Sequence, residues 1–382
     1  MRLSIEVLEQ SPTDTINMPS QLLHTLFGED VIFEIYRRME SRFGIVALKA
    51  LEKIQNTYGK AFALGCQGPD IFYHSRRLRP VGLEYGTLLH RRGAGIFTAG
   101  LLKMGLPDPP PDEEDIRMGR REKGINALGV YAMGFMTHAI LDRIAHPYIV
   151  YKTFSPLPKE HGSATNAQMH AFFERIIDVL MFARLREKDI SEWDQEGVFA
   201  ETCENPPLGL KELLVRALIL AFPERAGKDE KLAHRIENTF TDCARFYRFT
   251  APAYTAVKAT ASQPSLNMNN IFYVYPPKLP DDIDFLNLKK LPWYCPAGDK
   301  VEDLRSFPEL YSDAVNKAAG TIAAVISAYL EEGVFPIREA AQSIGNGGLS
   351  IVDEAGLPCA PVRSDPLPLA EVLEVQLRLI QN

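Results

Sequence analysis

Histidine and aspartate recur at four-residue steps through one of the most apolar stretches of the sequence, as His138, Asp142 and His146 within and just beyond Ile125–Ala145. In a helix each such step advances ~40° beyond a full turn, so the three side chains span ~80° of one face. Met133, Phe135, Ile140, Leu141 and Ile144 surround that face. Polar and ionisable groups among apolar ones are costly unless something satisfies them. Divalent zinc does so, because imidazole and carboxylate are among its usual ligands. The competing reading is a row of surface ion pairs. Two histidines evenly flanking one aspartate are uncommon in such rows, so a buried metal-binding helix is the stronger expectation.

The next helical stretch repeats the spacing with His170, Glu174 and Asp178. HxxxE alone is an ordinary i,i+4 polar pair. Placed a short loop after HxxxDxxxH, it reads as a second pair of ligands. Asp178 is then either a partner that orients a ligating imidazole or a helix-surface acid. Upstream, Asp70 follows Gly68-Pro69 and is either a helix-start acid or a ligand. His90 follows a Tyr85-Gly86 turn, and His24 follows Pro19-Ser20; each taken alone is an isolated histidine. His74 comes four residues after Asp70 and shares its face. His161 falls in a loop, and His234 sits in a charged, solvated helix.

The remaining pattern is helical. Val31–Tyr58 has apolar residues at helical spacing, with Arg42 and Gly44 marking a break. Gly65–Tyr73 reads as a loop opening a short helix, and Leu106–Asp112 as an extended Pro-rich linker. Pro147 ends the Ile125–Ala145 helix. Pro156–Ser163 is loop, and Asn166–Arg186 is the next helix, with Ser163 or Thr165 as N-cap. Leu210–Phe222, Lys231–Arg248 and Glu309–Glu332 are further helices. Prolines and aromatics crowd Gln263–Pro308, which predicts an irregular excursion with one or two strands. Ile337–Asn382 is Gly- and Pro-rich and closes with an amphipathic helix, Leu369–Ile380. The expected fold is all-α, divided into an N-terminal extension (1–17), a helical domain (18–335) and a C-terminal tail (336–382).

Composition narrows the function. Hydrophobic residues make up 46% and charged residues 24% of the 382, an ordinary globular balance that excludes a disordered, collagen-like or coiled-coil chain. The formal net charge of −7 gives no global attraction for nucleic acid or an anionic membrane. A phosphate-bearing substrate must therefore be drawn by local charge, usually a metal. The richest apolar runs, Leu213–Phe222 and Thr321–Leu330, are too short to span a bilayer. Glu6 and Glu9 interrupt any signal-like core, and the five cysteines are scattered without a CxxC. A cytoplasmic protein without a disulfide framework is the expectation.

The order His24, Asp70, His90, HxxxDxxxH and HxxxE resembles the zinc-dependent phospholipase C superfamily, whose signature also occurs in trinuclear-zinc nucleases of single strands. The pieces that carry the resemblance are MPSQLLHTLFGEDV (18–31), GCQGPDIFYH (65–74), MGFMTHAILDRIAHPYI (133–149) and HAFFERIID (170–178), with weaker ones in LNLKKLPWYCPAG (286–298) and SFPELYSDA (306–314). The resemblance implies an all-α phospholipase C-like domain with zinc ions between helices. Carried over by position, Asp70, His90, His138 and Asp142 would hold one zinc, and His146, His170 and Glu174 a second. His24 with a bridging Asp142 would contribute to a third. Secreted relatives complete that third site with a processed N-terminal Trp, but this chain has no Trp before Trp193. Met18 is a candidate start; its removal would expose Pro19, whose amine could serve instead.

Paired zinc ions lower the pKa of a bridging water and make hydroxide available near neutral pH. Asp70 is the candidate catalytic residue that orients or deprotonates this water. Two zinc ions bring four positive charges against the three carboxylates, and three bring six, so the third site decides how strongly a phosphodiester is attracted. The leading expectation is a phosphodiester hydrolase acting on a small phosphodiester or phospholipid head group, with room for transient membrane-surface contact. The alternatives are a metal-binding helical protein without catalysis and a cytosolic nucleotide phosphohydrolase or nuclease. Arg76, Arg77, Arg79, Arg91 and Arg92 lie beside the ligands and either bind extra phosphates or form a solvated charge run.

Overall fold

The computed structural model describes residues 20–106, 114, 126–156, 164–252, 271–298, 301–332 and 336–381. The 1–17 extension, Met18, Pro19, His161 and most of the expected linker and loop at 106–112 and 156–163 lie outside these residues. The described chain is all-α. In order, α1 is Leu22–Asn56, α2 Gly59–Cys66, α3 Leu83–Arg91, α4 Ala94–Gly105, α5 Ala127–Thr153 and α6 Asn166–Arg186. Then come α7 Glu201–Glu204, α8 Leu210–Ala221, α9 Leu232–Thr250, α10 Phe307–Glu332, α11 Ile337–Ile344 and α12 Leu369–Gln381. A 3-10 helix, Gly68–His74, follows α2. In the Pro/aromatic excursion a short hairpin pairs β1 (Trp293–Tyr294) with β2 (Glu302–Asp303), Trp293 opposite Asp303. Among the described residues no helix is long and apolar enough to cross a membrane.

Helix α5 is the axis of the molecule, with 22 of its residues, His138 and Asp142 included, buried. Asn126 caps it by accepting from the Gly129 N–H. It crosses α2 where glycine lets two backbones meet. A Cβ at Gly65 would lie 2.2 Å from the Tyr131 carbonyl, and one at Gly134 would lie 2.4 Å from the Phe62 carbonyl.

Several boundaries differ from the sequence reading. Pro147 does not end α5, which continues to Thr153. An internal proline costs ~3 kcal/mol, but the turn beyond it is anchored from afar. The Tyr148 hydroxyl donates to the Phe285 carbonyl at 2.8 Å. The Asp365 and Leu367 N–H groups donate to the Tyr151 and Lys152 carbonyls, both at 2.9 Å. Nor does α1 break at Arg42 or Gly44. A glycine costs a helix interior only ~1 kcal/mol, and burial of Val31, Ile32, Ile35 and Ile54 offsets that. Tyr85-Gly86 is not a turn but the middle of α3. Glycine fits closely there, since a Cβ would lie 3.0 Å from the Phe72 side chain.

The C-terminal segment packs against the helices. Helix α11 lies on α4 at Gly95, where a Cβ would meet the Ala341 carbonyl at 2.4 Å. Arg143 of α5 donates to the carbonyls of Ile344, Gly345, Gly347 and Gly348. The Leu349 N–H donates to the His90 carbonyl at 2.9 Å.

Asp178 has neither role expected of it. It is fully buried and caps α1 from across the fold. It accepts from the Ser20 hydroxyl, from the Leu23 N–H at 2.8 Å and from the Gln21 N–H at 3.3 Å. Its other partner is the buried Arg175 guanidinium at 3.0 Å. From the other side the Gln67 amide donates to the Gln21 carbonyl at 2.8 Å. The start of α1 is thereby fixed to α6 and to the turn after α2. Asp178→Ala therefore removes a cap and takes the carboxylate away from a buried cation. Urea unfolding is expected to report a loss of about 3–5 kcal/mol, well beyond the ~1 kcal/mol of a cap alone.

Candidate metal centre

The eight sequence-designated residues converge. Helix α1 brings His24, the 3-10 helix Asp70 and α3 His90. Helix α5 brings His138, Asp142 and His146, and α6 brings His170 and Glu174. Three sets of ligand atoms each fit within 4.8 Å: His24/Asp70/His138, His90/His138/Asp142 and His146/His170/Glu174. These clusters can hold metal ions.

Asp142 lies between the sets. One of its oxygens is 3.1 Å from His138 Nε2 and 3.8 Å from His90 Nε2. The other is 3.3 Å from His24 Nε2 and 3.9 Å from His146 Nε2. Asp70 places one oxygen 2.9 Å from His90 Nε2 and the other 3.6 Å from His138 Nε2. A Glu174 oxygen is 3.1 Å from His170 Nε2 and 3.4 Å from His146 Nε2.

The spacing separates metal ligation from plain hydrogen bonding. A charge-assisted N–H···O bond draws its atoms to about 2.7–2.9 Å. Tetrahedral ligands bound at about 2.0–2.1 Å stand about 3.3 Å from one another. Most of the contacts here fall nearer the second value. Satisfaction agrees: both Asp70 oxygens, His138 Nε2, one Asp142 oxygen and one Glu174 oxygen are buried without a hydrogen-bond partner. Orphaned buried charge of this density calls for cations. The half around Asp70 offers His24, Asp70, His90, His138 and Asp142, one donor more than a single tetrahedral ion needs. Asp142, with two oxygens facing different histidines, is placed to be shared.

Two backbone carbonyls set the imidazoles. His90 Nδ1 lies 2.8 Å from the Gly86 carbonyl and His138 Nδ1 lies 3.2 Å from the Cys66 carbonyl. A carbonyl only accepts, so each Nδ1 carries a proton and each Nε2 is the ring atom that faces the centre. Gly68 allows the second contact. Its φ is +55° and a Cβ there would lie 2.3 Å from the His138 ring. His24 stacks on His138 with centroids 4.1 Å apart.

Electrostatics couple the halves. Burial alone would raise the Asp142 pKa, yet His138 and His146 outweigh it and hold the carboxyl well below its ordinary range. Burial likewise opposes ionisation of Glu174, but His170 and His146 bring it down to about 2. Burial disfavours the His146 cation, but Asp142 and Glu174 lift its pKa to about 9. His24 is also raised, because Asp142 overcomes its desolvation.

Other residues singled out from the sequence stand outside the centre. His74 does not join Asp70; it is buried and stacked on Phe246 at 4.0 Å. His234 is exposed. The sequence reading missed Gly68 and the Cys66 and Gly86 carbonyls as supports of the centre. Only the Gly-Pro-Asp punctuation hinted at one of them.

Fold and site define an all-α protein with a buried His/Asp/Glu centre able to hold metal. No protein-family model, curated protein or solved structure matches the chain.

Two outcomes are expected. Gly68→Ala forces the turn away from His138 and should weaken cobalt(II) binding at least tenfold, read from the ion's visible absorption. In chelator, stability should follow the two shifted groups. The raised His146 contributes below its unfolded value of 6.5 and loses that contribution as pH rises through about 9. The depressed Glu174 contributes above its unfolded value of 4.5 and loses that contribution as pH falls through about 2. Thermal melts should therefore peak between these unfolded values. Added metal should restore the alkaline side, since it binds the neutral imidazole.

Proposed function

We propose that this chain is a zinc-dependent phosphodiester hydrolase of the phospholipase C-like kind. The observation that carries the reading is the shared Asp142, with a four-ligand set of Asp70, His90, His138 and Asp142 on one side and His146, His170 and Glu174 on the other. The order and spacing of these residues, which resemble that superfamily, point the same way. Imidazole with carboxylate and no thiolate suits zinc.

Held by these residues, zinc would supply Lewis acidity toward a bound water and positive charge for the phosphodiester. The chain's own residues do the rest. Asp70 directs both oxygens into the centre and is assigned the proton of the attacking water. The Nδ1 contacts of His90 and His138 with backbone carbonyls aim each Nε2 into the centre. Burial of Asp142 and Glu174 maintains a low-dielectric surround, in which charge interactions are strong. Buried free thiols at Cys66, Cys203 and Cys243 suit a reducing, cytoplasmic setting, and a small phosphodiester is the proposed substrate.

Burial favours one other reading. His24, Asp70, His138, Asp142, His146, His170 and Glu174 are each at most 4% exposed, which suits a metal-binding helical protein without turnover. His90, with its side chain 11% exposed, is the ligand nearest solvent. One experiment separates the two. Zinc content by plasma mass spectrometry should show two to three equivalents, lost in His138→Ala with Asp142→Ala. The zinc-loaded chain should hydrolyse bis-p-nitrophenyl phosphate, and Asp70→Asn should lower kcat about 10²–10⁴-fold. Zinc without turnover establishes the binder; no zinc at all ends both readings.

A further inference from the structure

Beside the centre lies a second group of polar side chains that the metals do not use. Arg76 follows the 3-10 helix and is partly buried, so it is no member of a solvated charge run. Its Nε donates to the Tyr73 carbonyl at 2.8 Å, and one terminal nitrogen is buried with no partner. Among the described residues no carboxylate pairs with its guanidinium, whose electrostatic neighbours include Tyr273 and Tyr73, while its backbone N–H donates to Asp242 at 3.0 Å. The 253–270 stretch of sequence carries Lys258 and neither Asp nor Glu. His74 is 4% exposed with both ring nitrogens unpartnered. Its ring stacks on Phe246 at 4.0 Å, and Phe246 meets Tyr273 edge-on at 6.2 Å. Phe246, Tyr273 and Arg76 are all partly open to solvent. A guanidinium with a buried, unpartnered nitrogen is unfavourable unless an anion answers it.

We propose that Arg76 and His74, walled by Phe246 and Tyr273, bind a phosphate group that the substrate carries in addition to its scissile diester. Arg76 offers the planar fork that matches phosphate oxygens. His74 offers one neutral N–H. Burial, and then Arg76 and Arg175, keep its pKa well below the ordinary value, so it adds no competing proton chemistry. Asp70 and His74 share the 3-10 helix, where four residues rise about 8 Å. The Tyr73 ring lies 4.7 Å from that of His90 and joins the two places. The substrate class is thus a phosphodiester bearing a second phosphate one short linker away. This specificity rests on the hydrolase reading, whereas the phosphate site itself does not.

The test is equilibrium dialysis of radiolabelled inorganic phosphate against the full metal-loaded chain, with metal measured in the same samples. Arg76→Met should remove one bound phosphate and leave metal content unchanged, while exposed Arg77→Met should lose none. Phosphate should also protect Arg76 of the wild-type chain from phenylglyoxal, mapped by mass spectrometry, a readout that needs no variant. Equal phosphate binding in Arg76→Met, or modification of Arg76 that phosphate does not slow, overturns the proposal. Phosphate binding at Arg76 in a chain that hydrolyses nothing leaves the site standing and ends the hydrolase reading. Hydrolysis of a phosphodiester bearing a second phosphate that is unchanged in Arg76→Met overturns the substrate assignment.

Discussion

One buried carboxylate, Asp142, faces imidazoles from three helices, and much of the architecture serves to bring them there. A lone carboxylate at 2% exposure would be expelled or protonated. Here His138 and His146 come from the same helix, one turn either side, and cost the chain no loop closure. His24 and His90 come from α1 and α3, so each must be delivered by tertiary packing. Asp178 and Gln67 hold the start of α1 in place, and the glycine-permitted contact of α2 with α5 sets the depth of the turn that carries Asp70. Polar fixation and close backbone packing are thus spent at the two ends of one cluster.

The sequence disclosed this unevenly, for a geometric reason. Steps of four within a helix are visible because periodicity is local, and His138, Asp142, His146, His170 and Glu174 were all legible on that ground. His24, Asp70 and His90 carried no periodic signal and stood out only through the ordered resemblance. Asp178 shares the spacing yet serves another end. The same ~80° separates His138 from His146, which both face the centre, so only the contacts of Asp178 with the start of α1 show its different role. The all-α class and the bounds of α6, with Thr165 as its cap, were likewise readable from local pattern. What failed were the local stop signals. Pro147, Gly44 and the Tyr85-Gly86 pair each looked like punctuation, and each is overridden by contacts hundreds of residues away or by close packing that only the fold supplies.

Support for the ligands is also drawn from the backbone more than from side chains. The Gly86 and Cys66 carbonyls orient two imidazoles, and the His90 carbonyl is itself held by Leu349. Carbonyl positions are set by helix ends and turns, so they move little when side chains change. A centre supported in this way tolerates variation in its surroundings, provided that Gly68 and Gly86 keep their small size.

Arg143, next to Asp142 in sequence, grips four carbonyls within 344–348. During synthesis, every proposed ligand leaves the ribosome by residue 174, whereas the stretch that Arg143 grips follows about 10–35 s later at ordinary elongation rates. Through that interval α5 carries its donors without the brace beside them. Vectorial growth thus leaves a window in which the donors of α5 stand without the contacts that the 344–348 stretch later gives Arg143.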